Sequence, residues 1–149
     1  MKKILLIFIF FLTSCNYQPI YVNKNLNNIE FSKIIIEGEK DINRKIINSL
    51  SLKENEFDDT LNNLLIESSY EIQETSKNSK GQVQSYRSII TVKLIINNNR
   101  ETILNKNFLK DFSYANKDNK FELVQYQNDI KNNLINKIIE DIILFINLQ

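Results

Sequence analysis

Leu123, Tyr126, Ile130, Leu134, Ile138, Ile142 and Phe145 recur at steps of three or four residues near the end of the chain. That spacing sets all seven on one stripe of an α-helix. Asn119, with Glu122 three residues on, has the form of a capping box and marks the start. The expected helix therefore runs from about Asn119 to Leu148. At about 1.5 Å per residue it is roughly 45 Å long. An apolar stripe of that length needs a sheet to lie across, and the preceding residues must supply it.

They do so in a legible order. Phe31 to Glu37 is a short β-branched run ending before Gly38, which reads as a strand. Asp41 then reads as a helix N-cap, with Ile42, Ile46, Ile47 and Leu50 at helical spacing and an expected end near Lys53. After an acidic connector, Leu61 to Thr75 alternates as a second strand, with Leu64, Ile66, Tyr70 and Ile72 on one parity. Ser76 to Gln82, containing Gly81, is a hairpin loop, and Val83 to Ile96 is the third strand. Asn97 to Asn99 is a turn, because Asn tolerates left-handed backbone angles. Glu101 to Tyr114 is a fourth strand with an undecided face, since Leu104, Phe108 and Phe112 share parity with Lys106 and Lys110. The fold class is α+β, in the order β-α-β-β-β-α: a four-stranded, mostly antiparallel sheet with two helices on one face. The other sheet face is left either solvated or free to bind.

The start of the chain is an address. Met1-Lys2-Lys3 is cationic, and Ile4 to Leu12 is an apolar run too short to span a bilayer but suited to a secretory signal peptide. Leu12-Thr13-Ser14-Cys15 follows and resembles the bacterial lipobox. In precursors of that kind the Cys thiol is lipidated, the peptide is cut before it, and the new amino group is acylated. Several acyl chains then anchor stably where one is marginal. The expected organisation is a signal peptide at 1–14, a lipidated tether at 15–30 carrying the single Pro19, and one domain at 31–149. Removing Lys2 and Lys3 leaves 17 basic residues against 18 acidic, a formal charge of −1 in place of +1. Asn16 differs from the Asp that marks inner-membrane retention in many enterobacterial lipoproteins, so outer-membrane sorting is expected.

The composition excludes much chemistry. The chain has no His and a single Cys, so His-based triads, Cys/His dyads and an internal disulfide framework are not expected. Two isolated glycines cannot build a phosphate-binding loop, and a near-neutral charge argues against a nucleic-acid partner. Carboxylate pairs such as Asp58-Asp59 and Glu140-Asp141 are adjacent and diverge, which suits solvated charge better than acid–base catalysis. No enzyme activity, cofactor or metal is expected. The cations outside the helices form one candidate site. Lys77 and Lys80 sit in the hairpin loop, and Arg87 and Lys93 project from the outer face of the third strand, with Lys106 and Lys110 as an extension on the neighbouring strand. Together they suit an anionic lipid headgroup. Ordinary solvation is the competing account in a chain rich in Lys. Phe108, Phe112 and Tyr114 read as packing residues rather than a ligand box.

Cys15-Asn16-Tyr17-Gln18-Pro19-Ile20-Tyr21 resembles the mature start of LPS-assembly lipoproteins (LptE), especially alphaproteobacterial ones. In that family the lipidated Cys is followed by a small residue, an aromatic, any residue, Pro, an apolar residue and Tyr. Asn16 departs from the Gly often found there. Phe112-Ser113-Tyr114-Ala115, leading into a long C-terminal helix, is also similar, as is the element order across nearly the whole mature chain. The resemblance implies a non-enzymatic role as a plug in the lumen of the LptD β-barrel translocon. It also implies help in assembling that barrel and in delivering lipopolysaccharide to the outer leaflet, which makes Lys77, Lys80, Arg87 and Lys93 candidate lipopolysaccharide headgroup contacts. One alternative is another small outer-membrane lipoprotein that binds lipid by itself or acts as an envelope-transport accessory. A lipid-sized pocket between helices and sheet would favour it, and a flat packed interface would favour the plug. A lipid-anchored hydrolase would need a cleft gathering carboxylates or a Ser–Lys pair.

Overall fold

The computed structural model describes residues 29–58, 60–98 and 101–148. The expected signal peptide at 1–14, the expected lipidation site Cys15 and the expected tether as far as residue 28 lie outside the described residues, as does the Asn99 end of the expected turn. Among the described residues, six strands and two helices follow in chain order. They are β1 (Glu30–Phe31), β2 (Lys33–Gly38), α1 (Lys40–Ser49), β3 (Lys53–Glu54), β4 (Asn63–Lys77), β5 (Val83–Asn98), β6 (Glu101–Ala115) and α2 (Lys120–Asn147). The main sheet has the order β2-β4-β5-β6, with β2 parallel to β4 and the other pairs antiparallel. The α+β class and the mostly antiparallel sheet are therefore as expected. The first strand differs: a bend at Ser32 divides it, and β1 leaves the main sheet to pair with β3.

Even-numbered residues of β4, β5 and β6 face the helices. Leu64, Ile96 and Leu104 form one cross-strand row, and Ser68, Val92 and Phe108 another. Onto these rows α2 buries Ile130, Leu134, Ile135, Ile138, Ile139 and Ile142, while α1 adds Ile42 and Ile46 to the same core. At about 25 cal/mol per Å² of apolar surface removed from water, this burial is the main force holding helices to sheet. One polar cluster, drawn from three neighbouring rows, interrupts it. Ser88 is fully buried, and its hydroxyl lies 3.3 Å from the Tyr70 hydroxyl and 3.2 Å from that of Tyr114. The chain of hydroxyls satisfies groups that would otherwise be costly to bury.

The α1 helix begins earlier than its side chains predict. Its N-cap is Glu39, with no side-chain capping bond, and Asp41 lies in the first turn. The start is set by tertiary contact. Gly38 adopts φ +82°, the Glu39 N–H donates to the Ser68 carbonyl (3.2 Å), and the Ser68 hydroxyl donates to the Glu39 carbonyl (3.1 Å). The helix also ends earlier than Lys53, at Ser49. Ser51 takes a left-handed φ of 51°, the Ser51 N–H donates to the Asn48 carbonyl, and the Leu52 N–H to that of Ile47. That is a Schellman closure with Ser where Gly is usual. The long helix, by contrast, starts as expected: the Asn119 side chain accepts from the backbone N–H groups of Phe121 and Glu122.

The face of β6 is now settled. Phe108 and Tyr114 are buried against α2, so the even parity faces the helices, and Lys106 and Lys110 share it. Both lysines run their methylenes along the apolar face and carry the charge to its margin. The Lys110 ammonium lies 2.6 Å from Asp141 on α2, and that of Lys106 lies 5.4 Å from the centre of the Phe145 ring.

Candidate functional site

Apart from the strand ends, where the register shifts after Glu74 and between Ile96 and Asn97, odd-numbered residues of the three long strands make the outer sheet face. Its rows, β4 to β6, include Leu65–Ile95–Asn105, Glu67–Lys93–Asn107 and Ser69–Thr91–Leu109, then Glu71–Ile89–Asp111. Arg87 and Lys93 project from this face, as their parity predicts. Each is paired there: Arg87 Nε lies 2.8 Å from Asp111, and Lys93 Nζ lies 3.2 Å from Glu67. The Arg87 guanidinium holds the Asp111 carboxyl below the usual carboxylate range. Lys77, at the end of β4, pairs with Glu74 at 2.9 Å.

Lys80 lies in the hairpin turn at 78–82. The turn is closed by Gly81 at φ +79° and by the Asn78 side chain, which accepts from the N–H groups of Lys80 and Gln82. Among the described residues the Lys80 ammonium has no carboxylate partner. The four candidates therefore do not form one cluster. Arg87 and Lys93 alone are six residues apart, about 20 Å at about 3.3 Å per strand residue. Lys106 and Lys110, expected to extend the set, face the opposite side of the sheet. Their parity is that of Phe108, and the packing of Phe108 against α2 decides it.

A different feature lies at the end of the sheet remote from the hairpin. Leu64, Leu94, Ile96 and Leu104 end the helix-facing rows there, and the C-terminal turns of α2 bring up Phe145 and Ile146. Leu50 and Leu52 from the closing turn of α1, with Ile29 and Phe31, complete an apolar cavity of about 290 Å³. It sits where the described chain enters the fold. Ile103, more than half exposed, forms its lip. Lys106 stands at the margin: it is directly across from Leu94, two residues from Leu104, and its ammonium lies over Phe145. The sequence offers no local signal for this cavity, because its walls come from six separate segments that only the fold brings together.

Among the described residues no three His, Cys, Asp or Glu side chains gather to hold a metal. No described helix is long and apolar enough to cross a membrane. Asp141 leaves the role of solvated charge for a pairing with Lys110, and Asp58 accepts from the Thr60 hydroxyl and N–H within its own turn.

No family model matches the chain, and neither does any curated protein. Solved structures do. Rare lipoprotein B from Shewanella oneidensis superposes with a TM-score of 0.54 at 13% identity, covering 78% of this chain and 98% of that one. Lipoprotein B from Nitrosomonas europaea, described as uncharacterized, gives 0.57 at 9% identity, covering 84% and 88%. A minor lipoprotein from Acinetobacter baumannii gives 0.52 at 14% identity, covering 76% and 89%. At these identities the likeness is one of fold. The fold of this chain is one that solved bacterial lipoproteins share.

Proposed function

We propose that the chain is an outer-membrane lipoprotein, anchored through Cys15, that plugs and helps assemble the LptD β-barrel and assists lipopolysaccharide insertion into the outer leaflet. The observation that carries this is the run from Cys15 to Tyr21 standing ahead of a domain whose fold solved bacterial lipoproteins share. The outer sheet face supports it further. Glu67–Lys93 and Arg87–Asp111 pair their charges within the sheet, leaving a polar, nearly neutral surface with scattered apolar residues. A barrel lumen is itself polar and is met by hydrogen bonding more than by strong charge.

Replacing Cys15 with Ala is expected to move the protein from the membrane fraction to the soluble periplasmic fraction. Retention in the membrane would contradict the anchor. Within the same proposal Lys77, Lys80, Arg87 and Lys93 contact lipopolysaccharide headgroups, with their internal carboxylate partners giving way. Charge reversal at all four should weaken lipopolysaccharide binding measurably, and unchanged binding would leave them as solvated surface. The apolar cavity is the one observation favouring the second reading, a small lipoprotein that binds lipid by itself.

A further inference from the structure

We infer that the apolar cavity beneath Ile103 takes the acyl chain of an anionic bilayer lipid, with Lys106 holding the charged head at the rim. Three observations meet there. The cavity is nearly free of polar atoms and measures about 290 Å³. An apolar cavity of about 150 Å³ already holds benzene, so this one has room for a segment of hydrocarbon chain. It opens beside Ile103, an apolar side chain that is 58% exposed and gains from being covered.

The second observation is the charge. Lys106 stands beside the rim: it faces Leu94 across the strands, is two residues from Leu104, and carries its ammonium over the Phe145 ring, and all three of those residues line the cavity. Lys110, one pleat along the same face, is neutralised by Asp141, whereas Lys106 has no carboxylate partner among the described residues. An ammonium left over an aromatic ring at the mouth of an apolar cavity complements a carboxylate or phosphate head.

The third observation is position. Ile29, where the described chain begins, is part of the cavity wall, fourteen residues from Cys15. At about 3.3–3.6 Å per extended residue, the cavity lies within about 50 Å of the anchored residue. The bilayer as source rests on the proposed anchor; the cavity and its cation do not.

The test uses the full-length protein, extracted from membranes and reconstituted into phosphatidylcholine vesicles containing palmitic acid that carries a diazirine in its chain. After irradiation, peptide mass spectrometry should find the label on segments containing Leu104 and Phe145. Leu104→Trp fills the cavity and should lower that labelling by about tenfold, the equivalent of about 1.4 kcal/mol. If circular dichroism shows that this variant does not fold, Ile103→Trp at the exposed lip carries the same expectation. Lys106→Glu should lower labelling by the acid about threefold to fivefold, as suits a single rim charge. Labelling by the methyl ester of the probe should not respond, and Lys80→Glu, at the far hairpin, should leave both unchanged. Label spread evenly over the protein, or unmoved by either tryptophan, overturns the proposal, as does equal labelling by acid and ester in the Lys106→Glu comparison. If labelling instead rises several-fold in Cys15→Ala, the occupant is the chain's own anchor and the bilayer source is wrong. Membrane attachment is scored separately in that variant, so a failed anchor and a failed cavity give different results.

Discussion

Gly38 and Gly81 have nearly the same backbone angle, φ +82° and +79°, yet they serve the fold differently. A Cβ on Gly38 would stand 1.8 Å from the Ser68 carbonyl oxygen, which is backbone and cannot swing aside. The β2 strand must come this close to β4 for the Glu39 N–H to reach Ser68 and for α1 to start where it does. A Cβ on Gly81 would meet nothing within 4 Å. Gly38→Ala is therefore expected to cost about 3 kcal/mol or more, combining left-handed strain with a backbone clash. Gly81→Ala should cost only the strain, about 1–2 kcal/mol. Chemical denaturation of the two variants measures the difference, and equal losses would show that the β2–β4 approach is not what Gly38 provides.

Between elements, a few charged side chains add to the apolar core. Lys131 on α2 reaches Asp41 at 2.6 Å and Glu39 at 3.6 Å at the start of α1, and its ammonium lies 4.9 Å from the centre of the Tyr70 ring. Arg87 and Asp111 join β5 to β6. The hydrogen bond from Lys131 holds the Asp41 carboxyl below its ordinary range, against the opposing effect of burial. A carboxyl depressed in the folded state stabilises the fold above its unfolded pKa, about 3.9, and loses that contribution as pH falls through the folded value. Stability should thus hold from neutral pH to about 5 and decline below about 4. Asp41→Asn and Asp111→Asn should each make the decline shallower in urea melts recorded across that range. An unchanged acid slope in both would assign the decline to other groups.

The same elements show what a sequence displays and what it hides. The α2 helix was legible because its stripe repeats over about six turns and Asn119 caps it locally. β4 and β5 were legible because each alternates, although the last seven residues of β4, from Glu71 to Lys77, are exposed on both faces. The start of α1 was misplaced because Asp41 is a good local cap, and the contact with Ser68, far along the chain, overrides it. Lys106 and Lys110 obscured the face of β6 because a long aliphatic stem can lie on an apolar surface while its charge leaves it. The cavity was invisible for a related reason: no stretch of sequence contains more than a fraction of its wall.

At the scale of the molecule the two ends of the sheet differ in kind. One end is a polar hairpin of exposed hydroxyls, with Ser85 bonded to both Thr75 and Ser76. The other is apolar, holds the cavity, and receives the chain from the side of the proposed anchor. A lipid-anchored domain built this way would hold its apolar end toward the bilayer and reach into a barrel lumen with its polar strands. That account depends on a partner, and affinity purification of the full-length protein from native membranes tests it most directly. It predicts that a large β-barrel protein is recovered in roughly equal amount. Recovery of the lipidated protein alone, with surface lipopolysaccharide unchanged on its depletion, would contradict it.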